Sequence, residues 1–373
     1  MFFLNSYVLW SFVFFFLFVY ITFFYSFIVY LLPLTLSGGS LSLSTNKRSS
    51  FYLLSGLECL HLKFLPLLLM LLLNVLWVSS SITAWFGNLV FTSLQHKIVL
   101  LLIFVFWVVL IVFANVSFLS SHEVYDFWIV KYNFFFWVSV LFLSNSLFSL
   151  FFIIEALSAL IFLLLVCSTY STLYFFRSVS LDFSNFFQNT TPHTFIHSIL
   201  FFYWVSLLSS LNLFVFSVFL YKYLVTFDWY LIEHVFLYLV KVSSLKDVFT
   251  IGAAWFFMVL SIFLKCGIAP FFIWKPTFFK GMPLAALFFY ISFFYFFIFL
   301  FFIHFLTSYF STIFYFYVLV TLLFISVGLV TLLFILSEAF FLKVFFAVSS
   351  LLNSLLVLLA LISCHPTAFC FFL

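Results

Sequence analysis

The residues of this sequence that could do chemistry are a few ionisable side chains inside long apolar runs. Glu155 lies midway along one run, and Lys265 closes another. An ionisable residue at the centre of a spanning helix costs about 2.5–3.5 kcal/mol, so a functional role is the first interpretation. A lysine that loses its hydration holds its proton less tightly, and a nearby carboxylate strengthens that hold again. Glu155 and Lys265 therefore form a candidate pair for binding and releasing a proton.

Five other ionisable residues lie in or beside apolar runs. Asp126 and Lys131 are near the start of one run, where the side chains are expected to snorkel to the membrane surface. His304 lies late in another run, as either a structural histidine or a proton-carrying group. Glu338 and Lys343 flank the start of the last run, where a helix-end role and a functional role are both open.

Helix-breaking residues follow Lys265 at once. They are Gly267, Pro270, Pro276, Gly281 and Pro283. No uninterrupted helix tolerates this set, and a broken helix within a bilayer needs protein or water to satisfy its freed backbone groups. Broken helices beside a buried charge are typical of ion sites in transporters. The alternative is a tight turn at the membrane surface that only links two spans.

The elements that must position these residues are membrane-spanning helices. Of the 373 residues, 68% are apolar and only 6% are charged, and the mean hydropathy is +1.40. A soluble domain carries about 25% charged residues, so lipid must be the solvent here. The predicted spans are 6–34, 64–86, 97–118, 127–144, 147–167, 198–222, 249–266, 284–306, 311–336 and 340–363. The prediction is an all-α polytopic membrane protein of about ten transmembrane helices, forming a single membrane domain over 1–373.

Composition excludes several classes of function. The net charge of +4 is scattered, so no basic run is available to bind nucleic acid. The five cysteines form no CxxC pair and are expected to be apolar core residues, with no metal bound.

The 70 phenylalanines indicate an A- and T-rich gene, as in many organellar genomes. No secretory signal or transit peptide is recognisable at the N-terminus, which favours synthesis in the compartment where the protein works.

The broken segment resembles a known family. The sequence KCGIAPFFIWKP at 265–276, followed by GMP at 281–283, is similar to the K-x-G-x-A-P-F-x-x-W-x-P…G-x-P segment of NADH dehydrogenase subunit 2. That family is one of the antiporter-like, proton-translocating membrane subunits of respiratory complex I. Three further stretches resemble it in the same order, at 145–158, 206–217 and 343–353.

The resemblance implies an antiporter-like fold with a broken seventh helix and a role in proton pumping. It implies proton-translocation residues Glu155, Lys265, His304 and Lys343. The chain would act as a membrane subunit of the H⁺-translocating NADH:ubiquinone reductase, with no redox site and no cofactor of its own. Its partners would be lipid and the other membrane subunits of complex I, in the mitochondrial inner membrane, and the chain would be a multi-pass, organelle-encoded protein.

The sequence departs from the family in three places. Tyr295 stands where the family usually has a lysine, for which His304 is a candidate substitute; Val344 replaces an arginine and Asn353 a histidine. The relatives also have about fourteen spans. We therefore expect a separate small polypeptide to supply further helices against 340–363, with lipid or accessory subunits filling that place as the alternative.

Other classes of protein share some of these features. A stand-alone cation/proton antiporter, or a subunit of the related 4 or 5 type, would also carry the buried glutamate, the buried lysine and the broken helix. In a purely structural membrane scaffold, Glu155 and Lys265 would only hold helices together. Co-purification with an NADH-oxidising assembly would separate a complex I subunit from both the stand-alone antiporter and the scaffold. Length and the G-x-P spacing favour subunit 2 over subunits 4 and 5.

Overall fold

A computed structural model describes most of the chain beyond residue 81. The described residues are 66, 69, 82–85, 87–112, 121–175, 192–224, 227–242, 245–268, 270–282, 287, 289–308, 311–336 and 342–363. The predicted span 6–34 and nearly all of 64–86 lie outside them, as do Pro283 and Glu338.

Within the described residues the fold is almost entirely helical. Eleven α-helices are numbered here in chain order: α1 (Ser93–Val112), α2 (Ser121–Leu143), α3 (Leu147–Phe175), α4 (Pro192–Leu224), α5 (Trp229–Val242), α6 (Leu245–Cys266), α7 (Trp274–Gly281), α8 (Phe296–Ser308), α9 (Ser311–Phe316), α10 (Val318–Leu336) and α11 (Leu342–Ile362). A π-helix, Tyr290–Tyr295, leads directly into α8. One antiparallel hairpin joins β1 (Ile82–Ala84) to β2 (Leu89–Phe91).

Seven of the described helical segments are long and apolar enough to cross a membrane, and Val130–Leu143 is a shorter apolar helix. The predicted fold class, an all-α polytopic membrane protein with a broken seventh helix, is confirmed. The break falls between α6 and α7, at Gly267 and Pro270, whereas Pro276 and Gly281 were predicted to break the helix but lie within α7, because the first turn of a helix tolerates a proline. The hairpin was not predicted, and β1 occupies residues that the sequence had assigned to the end of the second span.

The contacts divide the chain into two compact units, of which the first contains β1, β2, α1, α2 and residues 159–175 and 289–294 among those described. Helix α1 packs on α2, where Phe106 stacks on Phe135 with ring centroids 4.6 Å apart. Lys131 of α2 is only 1% exposed, and its Nζ lies 5.5 Å from the Phe289 ring centroid. The prediction that Lys131 snorkels to the surface was therefore wrong, because its amine is enclosed by protein.

The second unit contains residues 147–158 of α3, helices α4 to α7 and the chain from Tyr295 onward. Helix α4 packs along α6, and the short helix α7 is held between α4 and α11. Apolar side chains of α6, α8, α10 and α11 also pack together in this unit, among them Val259, Phe302, Ile325 and Leu358. This unit carries Glu155, Lys265 and the helix break.

Candidate functional site

The break begins with a well-defined end of α6. Gly267 has φ +62°, a left-handed conformation that glycine adopts without the steric penalty of a side chain. The Gly267 N–H donates to the Leu264 carbonyl at 3.3 Å, and the Ile268 N–H donates to the Phe263 carbonyl at 2.8 Å. These two bonds form a Schellman motif, which satisfies carbonyls that the helix end would otherwise leave unpaired.

Trp274 ties the second half of the break to the first. Its indole Nε1–H donates to the Leu264 carbonyl at 3.1 Å, so that buried oxygen is satisfied from both sides of the gap. Phe202 of α4 packs on the Trp274 ring and stacks on Phe278, with centroids 5.6 and 4.9 Å away. Protein groups thus satisfy the Phe263 and Leu264 carbonyls, which the end of α6 would otherwise leave unpaired.

Glu155 and Lys265 lie together in this unit. Lys265 Nζ is 3.6 Å from Glu155 Oε1 and donates to Ser206 Oγ at 3.3 Å. The Lys265 side chain is 6% exposed and that of Glu155 is 37% exposed. The expectation that the two charges face one another was right, but the carboxylate is only partly covered. Its Oε1 is buried and makes no hydrogen bond to any described residue.

A pair of serines holds α4 against α6 one turn from Lys265. Ser209 Oγ donates to the Ser261 carbonyl at 3.0 Å, and Ser261 Oγ donates to the Ser209 carbonyl at 2.8 Å. Small side chains let the two backbones approach closely, and these reciprocal bonds fix their register. Because Ser206 and Lys265 project from the same two helices, the serines also fix the distance between them.

A second buried lysine occupies the break. Lys275, on the first turn of α7, is 0% exposed, and its Nζ lies 3.6 Å from the centre of the Tyr295 ring. Sequence reasoning missed Lys275 and Ser206 as site residues. The available signal for Lys275 was a lysine directly between Trp274 and Pro276, inside the motif that carries the resemblance.

The other predicted residues take separate positions. Lys343 Nζ donates to the Met282 carbonyl at 2.8 Å, so it caps the C-terminal end of α7 rather than joining Glu155 and Lys265. His304 lies nine residues beyond Tyr295, about 13 Å along the helix axis. The basic group that lies against the Tyr295 ring is the Lys275 amine, not His304. Pro276 and Gly281 lie within α7.

The described residues include no group of three or more His, Cys, Asp or Glu side chains that could hold a metal ion. Cys266, next to Lys265, is a buried free thiol. The chemistry that this arrangement supports is proton binding and release by amines and a carboxylate.

These features define a multi-pass helical membrane protein with a buried ion pair beside a broken helix. No protein-family profile matches the chain, and no curated protein matches it. Among solved structures, it is similar to a chain of the membrane-bound sulfane sulfur reductase, an archaeal respiratory membrane complex. The TM-score is 0.57 at 14% identity, and the match covers 85% of this chain and 64% of that one. The chain thus spans less than two thirds of that structure's length, and the likeness shows a shared fold.

Proposed function

We propose that this chain is a proton-translocating membrane subunit of a respiratory complex, of the NADH dehydrogenase subunit 2 type. In this proposal it works in the mitochondrial inner membrane, within NADH:ubiquinone oxidoreductase. Glu155 and Lys265 exchange a proton during pumping, and other subunits carry the oxidation of NADH. Lys343 holds the end of α7 in place.

The observation that carries the proposal is the Glu155–Lys265 contact beside the broken helix. Two unit charges 3.6 Å apart attract by about 4–5 kcal/mol at an effective dielectric of 20, before solvent screening of the exposed side of Glu155. Separating them to about 7 Å removes roughly half of this attraction. Moving one proton against 100 mV requires about 2.3 kcal/mol, and after screening the attraction between Glu155 and Lys265 is about 1–2 kcal/mol, so separating the pair supplies part of one transfer step.

The fold and the motif support the choice of complex. The fold is shared with a chain of an archaeal respiratory membrane complex, which is consistent with a subunit that works among other membrane subunits. The 265–276 and 281–283 segments add the resemblance to subunit 2 of complex I. The helix-breaking residues of that resemblance lie where the structure places the Schellman motif, the Trp274 bond and α7.

Purification of the chain from its own membranes in mild detergent tests the proposal. We expect a large assembly that oxidises NADH, reduces ubiquinone and, in liposomes, moves protons during turnover. Recovery of the chain alone, with proton flux driven by a gradient of another cation, would support the stand-alone antiporter instead. An NADH-oxidising assembly whose pumping does not depend on Lys265 would make the chain a scaffold.

A further inference from the structure

Lys275 has an unusual environment for a charged residue. It is fully buried, and its Nζ makes no hydrogen bond to any residue that the structure describes. The face of the Tyr295 ring lies 3.6 Å from the amine, and the Phe279 ring centroid is 5.9 Å away. A desolvated ammonium gains stabilisation on an aromatic face, but less than the hydration it has lost.

The amine is therefore poised between its charged and neutral forms. Lys275 lies in α7, the second half of the broken helix, and its burial removes the water that would stabilise its ammonium form. Among the described residues, the Tyr295 ring faces the amine, Cys266 adjoins Gly267, on which the Lys275 stem packs, and Lys343 binds the far end of α7.

Lys275 also lies close to the end of α6, the helix that carries Lys265. Its side-chain stem packs on Gly267, where an added Cβ would be 3.1 Å from Lys275 Cδ. Gly267 is two residues from Lys265, and the buried thiol of Cys266 lies between them in the sequence. Tyr295 is the last residue of the π-helix, a rare distortion that is frequent at functional sites.

We propose that Lys275 is a second proton-binding residue of the same translocation path, with the Tyr295 ring stabilising its ammonium form. This proposal rests on the proposed function and adds a residue to it. In the transfer step, a proton leaves the Lys265 ammonium, which becomes a neutral amine. The proton binds the lone pair of the neutral Lys275 amine, which becomes an ammonium, so total charge is unchanged.

The first test compares four variants of the intact complex in liposomes: Lys275→Met, Lys275→Arg, Lys265→Met and Lys280→Met. The quantity measured is the rate of proton uptake per assembled complex. Lys275→Met removes the amine, and Lys275→Arg keeps a cation that never releases its proton. Lys280→Met, an exposed lysine on the same helix, is the matched control. We expect both Lys275 variants to pump at least about tenfold more slowly, as Lys265→Met does, and Lys280→Met to pump normally.

The second test changes the ring instead of the lysine. Tyr295→Phe keeps an aromatic face, whereas Tyr295→Leu removes it. We expect the alkaline limb of the pumping profile to move down by about one pH unit in Tyr295→Leu and to stay in place in Tyr295→Phe. If the Lys275 variants fail to assemble, the comparison of Tyr295→Leu with Tyr295→Phe still tests whether Lys275 binds a translocated proton.

Three results would overturn the inference: normal pumping by Lys275→Met, rescue by Lys275→Arg, or the same pH profile for both Tyr295 variants. If Lys265→Met loses pumping while Lys275→Met retains it, this inference fails and the proposed function stands. If Lys265→Met also pumps normally, the proposed function itself is wrong.

Discussion

Gly267→Ala is the substitution that most directly probes how the break is built. The added Cβ would lie 2.9 Å from Trp274 Cζ2 and 3.1 Å from Lys275 Cδ, at a residue whose φ is +62°. The first contact is shorter than real Cβ contacts, so the indole must move. Any such movement strains its hydrogen bond to the Leu264 carbonyl and its packing on Phe202.

Two contributions set the size of the effect. A left-handed conformation costs a non-glycine residue about 1–2 kcal/mol. Overpacking a buried site costs about 1–3 kcal/mol more. We therefore expect Gly267→Ala to lower the free energy of unfolding by about 2–5 kcal/mol.

Two other glycines separate these contributions. Gly87 has φ +90° and nothing within 4 Å of an added Cβ, so Gly87→Ala reports the backbone penalty alone. At Gly252, inside α6, an added Cβ would lie 2.9 Å from Tyr317 Cε1 without a positive φ, so Gly252→Ala reports crowding alone. Thermal unfolding of the purified protein in mild detergent ranks the three variants. The reasoning is refuted if Gly267→Ala is no more destabilising than Gly87→Ala.

Two further predictions concern the contacts of the site. A double-mutant cycle of Glu155→Gln and Lys265→Met should give a coupling free energy of about 1–2 kcal/mol in thermal stability, whereas strictly additive effects would mean that the 3.6 Å contact contributes nothing. Ser209→Ala and Ser261→Ala should each reduce stability by about 1 kcal/mol, because each removes a bond between α4 and α6. Ser217→Ala, which removes an exposed bond within α4, is the control, and an equal loss there would contradict the interpretation.

The sequence predicted the parts of the site that depend on rare residues in a uniform background. In a chain with 6% charged residues, Glu155 and Lys265 are conspicuous, and lipid leaves few places for them. Gly267 and Pro270 indicated the break for the same reason, since a continuous helix excludes them.

The sequence could not predict where a charge near the end of an apolar run would point. Lys131 and Lys275 both lie in positions from which a long side chain can reach water, and both turn into protein instead. Whether each lysine side chain points to water or into the protein depends on aromatic rings from distant segments, Phe289 and Tyr295. No local sequence pattern reveals these contacts. The contact between Lys343 and the Met282 carbonyl depends in the same way on how α11 packs against α7.

The measurement that tests the central claim most directly is proton uptake by the assembled complex carrying Lys265→Met. Methionine keeps an apolar stem and removes the charge that contacts Glu155. Lys222→Met, at an exposed lysine in the last turn of α4, is the control. We predict that Lys265→Met assembles but moves protons at least about tenfold more slowly during NADH oxidation, while Lys222→Met is unchanged. Normal pumping by an assembled Lys265→Met complex would contradict the proposed role of the Glu155–Lys265 pair.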